Sequence, residues 1–402
     1  MNILQLCNKV PFPPKDGGCI AMNALTQGLI KEGNKVKILA INTKKHFVDV
    51  TELPDDYRLS TRIEAVFVDT EIKVTDAFLN LFSNKSYNVE RFYSVEFENK
   101  LIAVLQAESF DIIQLESLYV SMYVSTIRKY STAKIVLRAH NVEHLLWERN
   151  AQLASNPLKK AYLKLLAKRL KNYEVNSLSG LDAIVTITKV DALYFKNAGY
   201  LKPLITAPFG IDLNGSEVTT IAEEFPSVFH IGAMDWQPNI EGVNWFLINV
   251  WDKVIREHPE LKLYLAGRSM NTGDLEKLNK PNVIIVGEVE NAKKFICSKG
   301  IMIVPLLSGG GMRVKIIEGL SLGKTIITTT IGIEGIECGN NKNCIVANTP
   351  NEFVAAISKC INDKSFYMSV GKNAKLLAFE HFNNVDICKR LVAFYRSSVL
   401  NN

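Results

Sequence analysis

With 402 residues the chain exceeds what one hydrophobic core usually serves, so two domains are expected, and 47% hydrophobic with 22% charged residues is the balance of a soluble globular enzyme. The net charge of +6 suits a protein that meets phosphates or an anionic membrane surface and calls for no nucleic acid. Seven scattered cysteines, odd in number and without a C-x-x-C pair, argue against a disulfide framework or a zinc site and fit reduced cytosolic thiols.

The opening "MNILQLCNKV" runs straight into a strand pattern, with neither a signal peptide nor any apolar stretch of membrane-spanning length. A cytoplasmic protein is therefore expected. The runs "NILQLC" (2–7), "KVKILAI" (35–41), "DIIQLE" (111–116), "AKIVLRA" (133–139), "DAIVTIT" (182–188) and "PLITAP" (203–208) read as buried parallel strands separated by helical patterns. That alternation is the pattern of a doubly wound α/β sheet.

Two loops of this first series carry candidate chemistry. In "PFPPKDGG" (11–18), Gly17 and Gly18 open the helix "CIAMNALTQGLIKEG", where free amides and the positive dipole end favour an anion; a plain tight turn is the competing reading. No G-x-G-x-x-G is present, so a dinucleotide fingerprint is not supported. In "RAHNVEHLLWERN" (138–150), His140, Asn141 and Glu143 form a polar knot after a strand. His140 is a candidate to bind a substrate hydroxyl or to act as acid or base, while Asn141 joins it or simply caps the next helix.

The stretch "PLKKAYLKLLAKRLKNYE" (157–174) carries six cations and no acid before Glu174, with an apolar stripe of Leu158, Tyr162, Leu165, Leu166 and Tyr173. Such a helix either lies on an anionic bilayer or packs on the core with a solvated basic back. Around 209–227 the residues become small and polar, which suits a linker.

A second strand series follows: "SVFHIG" (227–232), "KLYLAG" (262–267), "VIIVG" (283–287), "IMIVPL" (301–306), "TIITTT" (325–330) and "NCIVAN" (343–348). The chain thus holds two Rossmann-like halves in tandem, and 350–400 reads as consecutive helices. Ligands of such sheets sit at the carboxyl ends of the strands, so a site is expected in a cleft between two facing domains.

At one such end, "HIGAMDWQPNIEGVNWF" (230–246), Gly232 closes the strand and Asp235, Trp236 and Asn239 lead into a helix; Trp236 either stacks on a base or packs as core. At another, "SGGGMRVKIIEGLSLGK" (308–324), three glycines precede two cations and a glutamate. The amides from Gly310 through Met312 to Arg313, with the Arg313 and Lys315 charges, suit a diphosphate. Glu318, one turn deeper, suits the vicinal hydroxyls of a ribose. An i,i+3 ion pair between Lys315 and Glu318 is the competing reading, and the glycines weigh against it. "LGKT" (322–325) imitates the tail of a Walker loop, but Glu318 stands where the loop needs glycine and a β-branched strand follows instead of a helix.

Taken together, "PPKDGG", "AHNVE", "APFGID" (207–212), "HIGAMDWQPNIEGVNWF" and "PLLSGGGMRVKIIEGLSLGKTIITTTIGIEGI" (305–336) resemble the retaining nucleotide-sugar glycosyltransferases of family 4, in the family's order and over nearly the whole chain. The resemblance implies the α/β GT-B fold, with the active site in the interdomain cleft. It implies an acceptor-binding domain at 1–212, a linker at 213–226, a nucleotide-sugar domain at 227–375 and a closing helix at 376–402 that packs back on the first domain. Residue by residue, it implies that Glu318 holds the ribose hydroxyls and that His140 lies near the reacting sugar, these two being the candidate catalytic residues. Gly17, Gly18, Gly232, Asp235, Gly309, Gly310, Gly311, Met312, Arg313 and Lys315 are the further donor-binding candidates. The family's first paired glutamate is replaced by Gly310, and Arg313 with Lys315 takes the place of the family's cations after the first strand of the second domain.

The implied reaction moves a sugar, hexosyl or related, from a UDP- or GDP-sugar to a hydroxyl of a glycan, glycolipid or protein, with retention and with neither metal nor bound cofactor. The setting is cell-surface polysaccharide or glycolipid synthesis, in the cytoplasm or at the inner face of the membrane. A nucleotide-sugar epimerase of the same fold, and an inactive nucleotide-sugar-binding protein, are the alternatives.

Overall fold

In a computed structural model of the chain, residues 1–212, 221–270 and 280–401 are described. They form two compact units: residues 1–210 together with 384–402, and residues 211–383. Most of the linker expected at 213–226 lies outside the described residues, but its last part is already strand.

The first unit holds seven parallel strands: β1 (Asn2–Cys7), β2 (Lys35–Asn42), β3 (Glu64–Phe67), β4 (Ile112–Leu115), β5 (Lys134–Ala139), β6 (Ala183–Thr186) and β7 (Leu204–Thr206), in the order β3-β2-β1-β4-β5-β6-β7. The short β3 was not expected from the sequence. Alternation along the strands feeds two cores. Leu4, Leu6, Ile113, Leu115, Ile135 and Leu137 face one side, while Ile3, Ile112, Val136 and Val185 face the other. The second side is completed by the end of the chain: the helix Asn384–Phe394 packs on the helix Gly17–Lys31, and Ile387, Leu391 and Tyr395 join that core.

The stripe read on 157–174 is only half covered. In the helix Pro157–Ser177, Leu166, Ala167 and Leu170 are buried, but Leu158 at the start is 82% exposed.

The second unit is a six-stranded parallel sheet of β8 (Glu224–Ile231), β9 (Leu263–Ala266), β10 (Val283–Gly287), β11 (Lys299–Val304), β12 (Ile326–Thr328) and β13 (Ile345–Val346), ordered β10-β9-β8-β11-β12-β13. β8 starts earlier than the sequence suggested because Glu224 pairs with Lys299 and Phe225 packs on the Tyr367 ring at 4.5 Å. The helix Lys364–His381 stays in this unit against the helix Val314–Ser321, and the chain returns to the first unit at Asn384. In each sheet the strand order reverses beside the first strand, between β1 and β4 and between β8 and β11, which is where ligands of such sheets gather. Among the described residues no helix is long and apolar enough to cross a membrane.

Candidate functional site

In the second unit the ends of β8 and β11 bring two loops together. After β8, Asn239 in the helix Gln237–Phe246 donates its amide to the Ala233 carbonyl at 2.7 Å, which leaves its oxygen to accept from Lys315 Nζ, also at 2.7 Å. Lys315 comes from the first turn of the helix that follows the glycines, and its amine lies 3.5 Å from His230 Nε2. A Cβ on Gly232 would sit 2.5 Å from that amine and 3.1 Å from the imidazole, so a larger residue would push the lysine out of this position.

The electrostatics of this nest are poised for an anion. Burial lowers the Lys315 ammonium to about 7, and the Arg313 charge adds to the shift. Burial, with Lys315 as a second cause, also holds the His230 ring neutral, its Nδ1 fixed at 3.0 Å from the Ile303 carbonyl. A negative ligand beside Lys315 would restore its proton.

The glycine turn is built by Arg313. Gly309 and Gly311 have φ of 101° and 76°, conformations that other residues rarely adopt. The Arg313 guanidinium, only 5% exposed, donates to the carbonyls of Gly310 and Gly311 and lies over the Trp236 ring, 5.6 Å from its centroid. In a trans peptide the N–H points opposite to the C=O. Holding those two carbonyls therefore turns the amides of Gly311 and Met312 away from Arg313, beside the start of the helix, where the dipole already favours negative charge. Arg313 thus shapes the turn rather than standing free at its mouth.

Lys315 turns to Asn239 and not to Glu318, so the i,i+3 ion pair is not formed. Glu318 lies one turn on, half-buried; burial raises its carboxyl and Lys293 pulls it back. Asp235 is exposed and accepts from Arg268 at 3.2 Å. Trp236 is 36% exposed beneath Arg313. Among the described residues no group of three or more His, Cys, Asp or Glu side chains could hold a metal ion.

In the first unit, Gly17 and Gly18 begin the helix after β1, as read from the sequence. That helix end carries its own carboxylate: Asp16 accepts from the Cys19 amide at 3.0 Å and pairs with Lys9 at 2.7 Å. Burial raises the Asp16 carboxyl, but Lys9 and the amide outweigh it and hold it at about 2.

His140 follows β5, and its Nε2 lies 3.0 Å from Glu116 Oε2. Glu116 directly follows β4, is fully buried, and also pairs with the buried Arg138 at 3.1 Å. Burial raises its carboxyl, yet Arg138 and His140 bring it below the ordinary value. Burial lowers the His140 ring, with Glu116 opposing, so the ring is neutral near pH 7; a neutral ring donating Nε2–H to a carboxylate presents Nδ1 as an acceptor. Glu116 was not singled out in the sequence, although a carboxylate closing the apolar run "DIIQL" was the available signal.

Glu174 accepts from the amides of Glu143 and His144 at 3.0 and 3.4 Å and from His144 Nδ1 at 2.6 Å, capping the helix Glu143–Leu153 from the helix that follows it, Pro157–Ser177. Asn141 does not cap that helix; Val142 holds the cap position.

Residues 225–363, all within the second unit, match the family model of group 1 glycosyl transferases. Over 399 residues the chain is 24% identical to an uncharacterised 44.6 kDa protein of the cps region of Klebsiella pneumoniae, covering 95% of this chain and 96% of that one. Its fold is that of solved two-domain (GT-B) glycosyltransferases. Sucrose-phosphate synthase from Thermosynechococcus elongatus superposes with a TM-score of 0.72 at 15% identity, over 98% of both chains. HepE of Anabaena, solved with UDP and glucose, gives 0.67 at 12% identity over 99% of this chain and 100% of that one. The pneumococcal O-GlcNAc transferase GtfA, solved with UDP and GlcNAc, gives 0.67 at 10% identity over 100% and 99%.

Proposed function

We propose that the chain transfers a sugar from a UDP-sugar to an acceptor hydroxyl with retention of anomeric configuration, in cell-surface polysaccharide or glycolipid synthesis. The observation that carries the reading is the Lys315 amine, buried against Asn239 and His230 beside the glycine turn and brought to about 7 by burial and by Arg313. A diphosphate is the ligand such a nest fits, because it recharges Lys315 and accepts from the Gly311 and Met312 amides. The UDP of the structural neighbours HepE and GtfA, and the cps-region relative, point the same way.

In this reading Gly309, Gly310 and Gly311 keep the backbone bare for the phosphates, and Arg313 braces the turn. Gly232 makes room for Lys315, and Asp235 borders the nucleotide. Glu318 accepts from the ribose hydroxyls, and the bare loop at Gly17 and Gly18 admits the sugar. His140 accepts from a sugar hydroxyl through Nδ1. As the anomeric carbon–oxygen bond breaks, negative charge gathers on UDP, where Lys315 and the turn amides stabilise it. The acceptor oxygen bonds to the same face, and its proton passes to the departing phosphate.

Incubation with UDP-sugars and candidate acceptors, reading UDP release together with a sugar-extended product of retained configuration, tests the proposal. Lys315→Met should abolish release without lowering the melting temperature, since it removes the cost of burying the ammonium. A glycine, Gly310, at the family's first-glutamate position favours a second reading, a nucleotide-sugar binder without turnover. Binding of UDP with no release or product would establish that reading, and inversion of configuration would overturn the retaining one.

A further inference from the structure

Residues 72–82 of the first unit expose an unusual amount of apolar surface. Ile72, Phe78, Leu79 and Phe82 are 63%, 59%, 66% and 80% exposed, around the short helix Val74–Asn80. The Phe78 and Phe82 rings pack edge to face with centroids 5.6 Å apart, so the two form one knob and not scattered side chains. Large contiguous apolar surface on a soluble chain marks a place where something binds.

The segment is fastened to the basic helix. Arg169 Nη1 donates to the Asn80 carbonyl at 2.8 Å and to Asn80 Oδ1 at 2.9 Å, and Nη2 donates to the Leu81 carbonyl at 3.1 Å. The helix Pro157–Ser177 turns Leu166, Ala167 and Leu170 inward, which leaves Lys159, Lys164, Lys168 and Lys171 exposed. From Pro157 to Tyr173 it contains no acid. Near the knob, Asp69 is already paired with Lys73 at 3.0 Å and Glu71 with Lys44 at 3.1 Å, so Asp76 is the one acid of the short helix that opposes the lysines.

The geometry points to a membrane-docking surface in which the Phe78–Phe82 knob enters the interface of an anionic bilayer and the lysines of 159–171 lie over its headgroups. The sequence alone placed any such contact on the apolar stripe of the basic helix. That stripe is buried from Leu166 onward, and the apolar part of the surface comes from a separate segment that Arg169 ties alongside. An exposed lysine row beside an aromatic knob is complementary to anionic lipid. It suits a protein partner poorly, because lysine is depleted from protein interfaces. The inference stands independently of the donor and the reaction.

Co-sedimentation of the full chain with vesicles tests it, comparing phosphatidylcholine alone with phosphatidylcholine containing phosphatidylglycerol. The wild type should pellet with the anionic vesicles and release in high salt, since the reach of charge is about 8 Å at physiological ionic strength and about 3 Å at 1 M. Phe78→Ser with Phe82→Ser should weaken this binding about tenfold or more. Lys164→Gln with Lys168→Gln should weaken it about 25-fold, some fivefold per lysine, and reduce the salt dependence by about half. Melting temperatures should match the wild type, because all four side chains are exposed. Absence of binding to anionic vesicles overturns the proposal. So does binding indifferent to the phenylalanines, which would leave only charge adsorption. Self-association of the wild type that the phenylalanine pair removes, without vesicle binding, would assign the knob to a second copy instead.

Discussion

Because burial brings the Lys315 ammonium to about 7, the amine of the free protein begins to lose its proton near neutrality. Two pH effects follow. A diphosphate must restore that proton, so UDP binding should take up close to one proton at about pH 8 and weaken by up to about tenfold per pH unit above 7. Calorimetry in buffers of different ionisation enthalpy reads both, and Lys315→Met should abolish the uptake along with the affinity. For folding, the unfolded lysine keeps its proton up to the ordinary value of 10.5 while the folded one does not, so on this group's account stability rises with pH from about 7 to 10.5. At Glu318, a charge-assisted pair is worth about 1.5–3 kcal/mol, so Glu318→Gln should lower UDP affinity roughly 10- to 150-fold with the fold intact. His140→Ala should lower turnover by about 10²-fold or more while sparing UDP affinity, if its Nδ1 meets the sugar. Wild-type turnover in that variant would leave the ring only a structural partner of Glu116.

At the scale of elements, the ends of β4 and β5 are held by one buried polar network. Tyr395 donates to Gln114, Gln114 to Glu116, and Glu116 pairs with Arg138 and His140; Gln5 and Thr26 complete it. Glu116→Ala should cost about 3–5 kcal/mol because it strands the Arg138 charge in the core, a loss that chemical denaturation measures directly. The sequence showed where elements lie better than how they are wired. The glycine turn was legible because φ near 100° leaves few residues to choose from, and the strands were legible from their apolar runs. Arg138 and Glu116 looked like ends of such runs, since nothing local says that two charges 22 positions apart share a buried pair. The Glu174 cap was hidden for the same reason: its partners lie on another helix.

At the scale of the molecule, two Rossmann-like sheets were legible because each series repeats strand and helix. The route of the chain was less so. The resemblance implied a closing helix from 376, but no motif marks the return at Asn384, which shows in the side chains that Ile387, Leu391, Val392, Tyr395 and Val399 bury in the first unit. At about 1.5–3 kcal/mol each, those five side chains carry about 8–15 kcal/mol, on the order of the 5–15 kcal/mol that holds a whole domain folded. A chain ended at Asn383 should therefore lose the cooperative transition of the first unit and bind a hydrophobic dye, while the transition of the second unit persists. Scanning calorimetry of the two lengths makes the comparison.

The same return sets an order of events during synthesis. The ribosome finishes the seven strands of the first sheet before it begins the second unit, yet the helix that closes one of its faces is made only after that unit is complete. At 5–20 residues per second the intervening stretch takes roughly 10–35 s. For that time one side of the first sheet waits open on the nascent chain, and the second unit, continuous in sequence, is free to fold ahead of it.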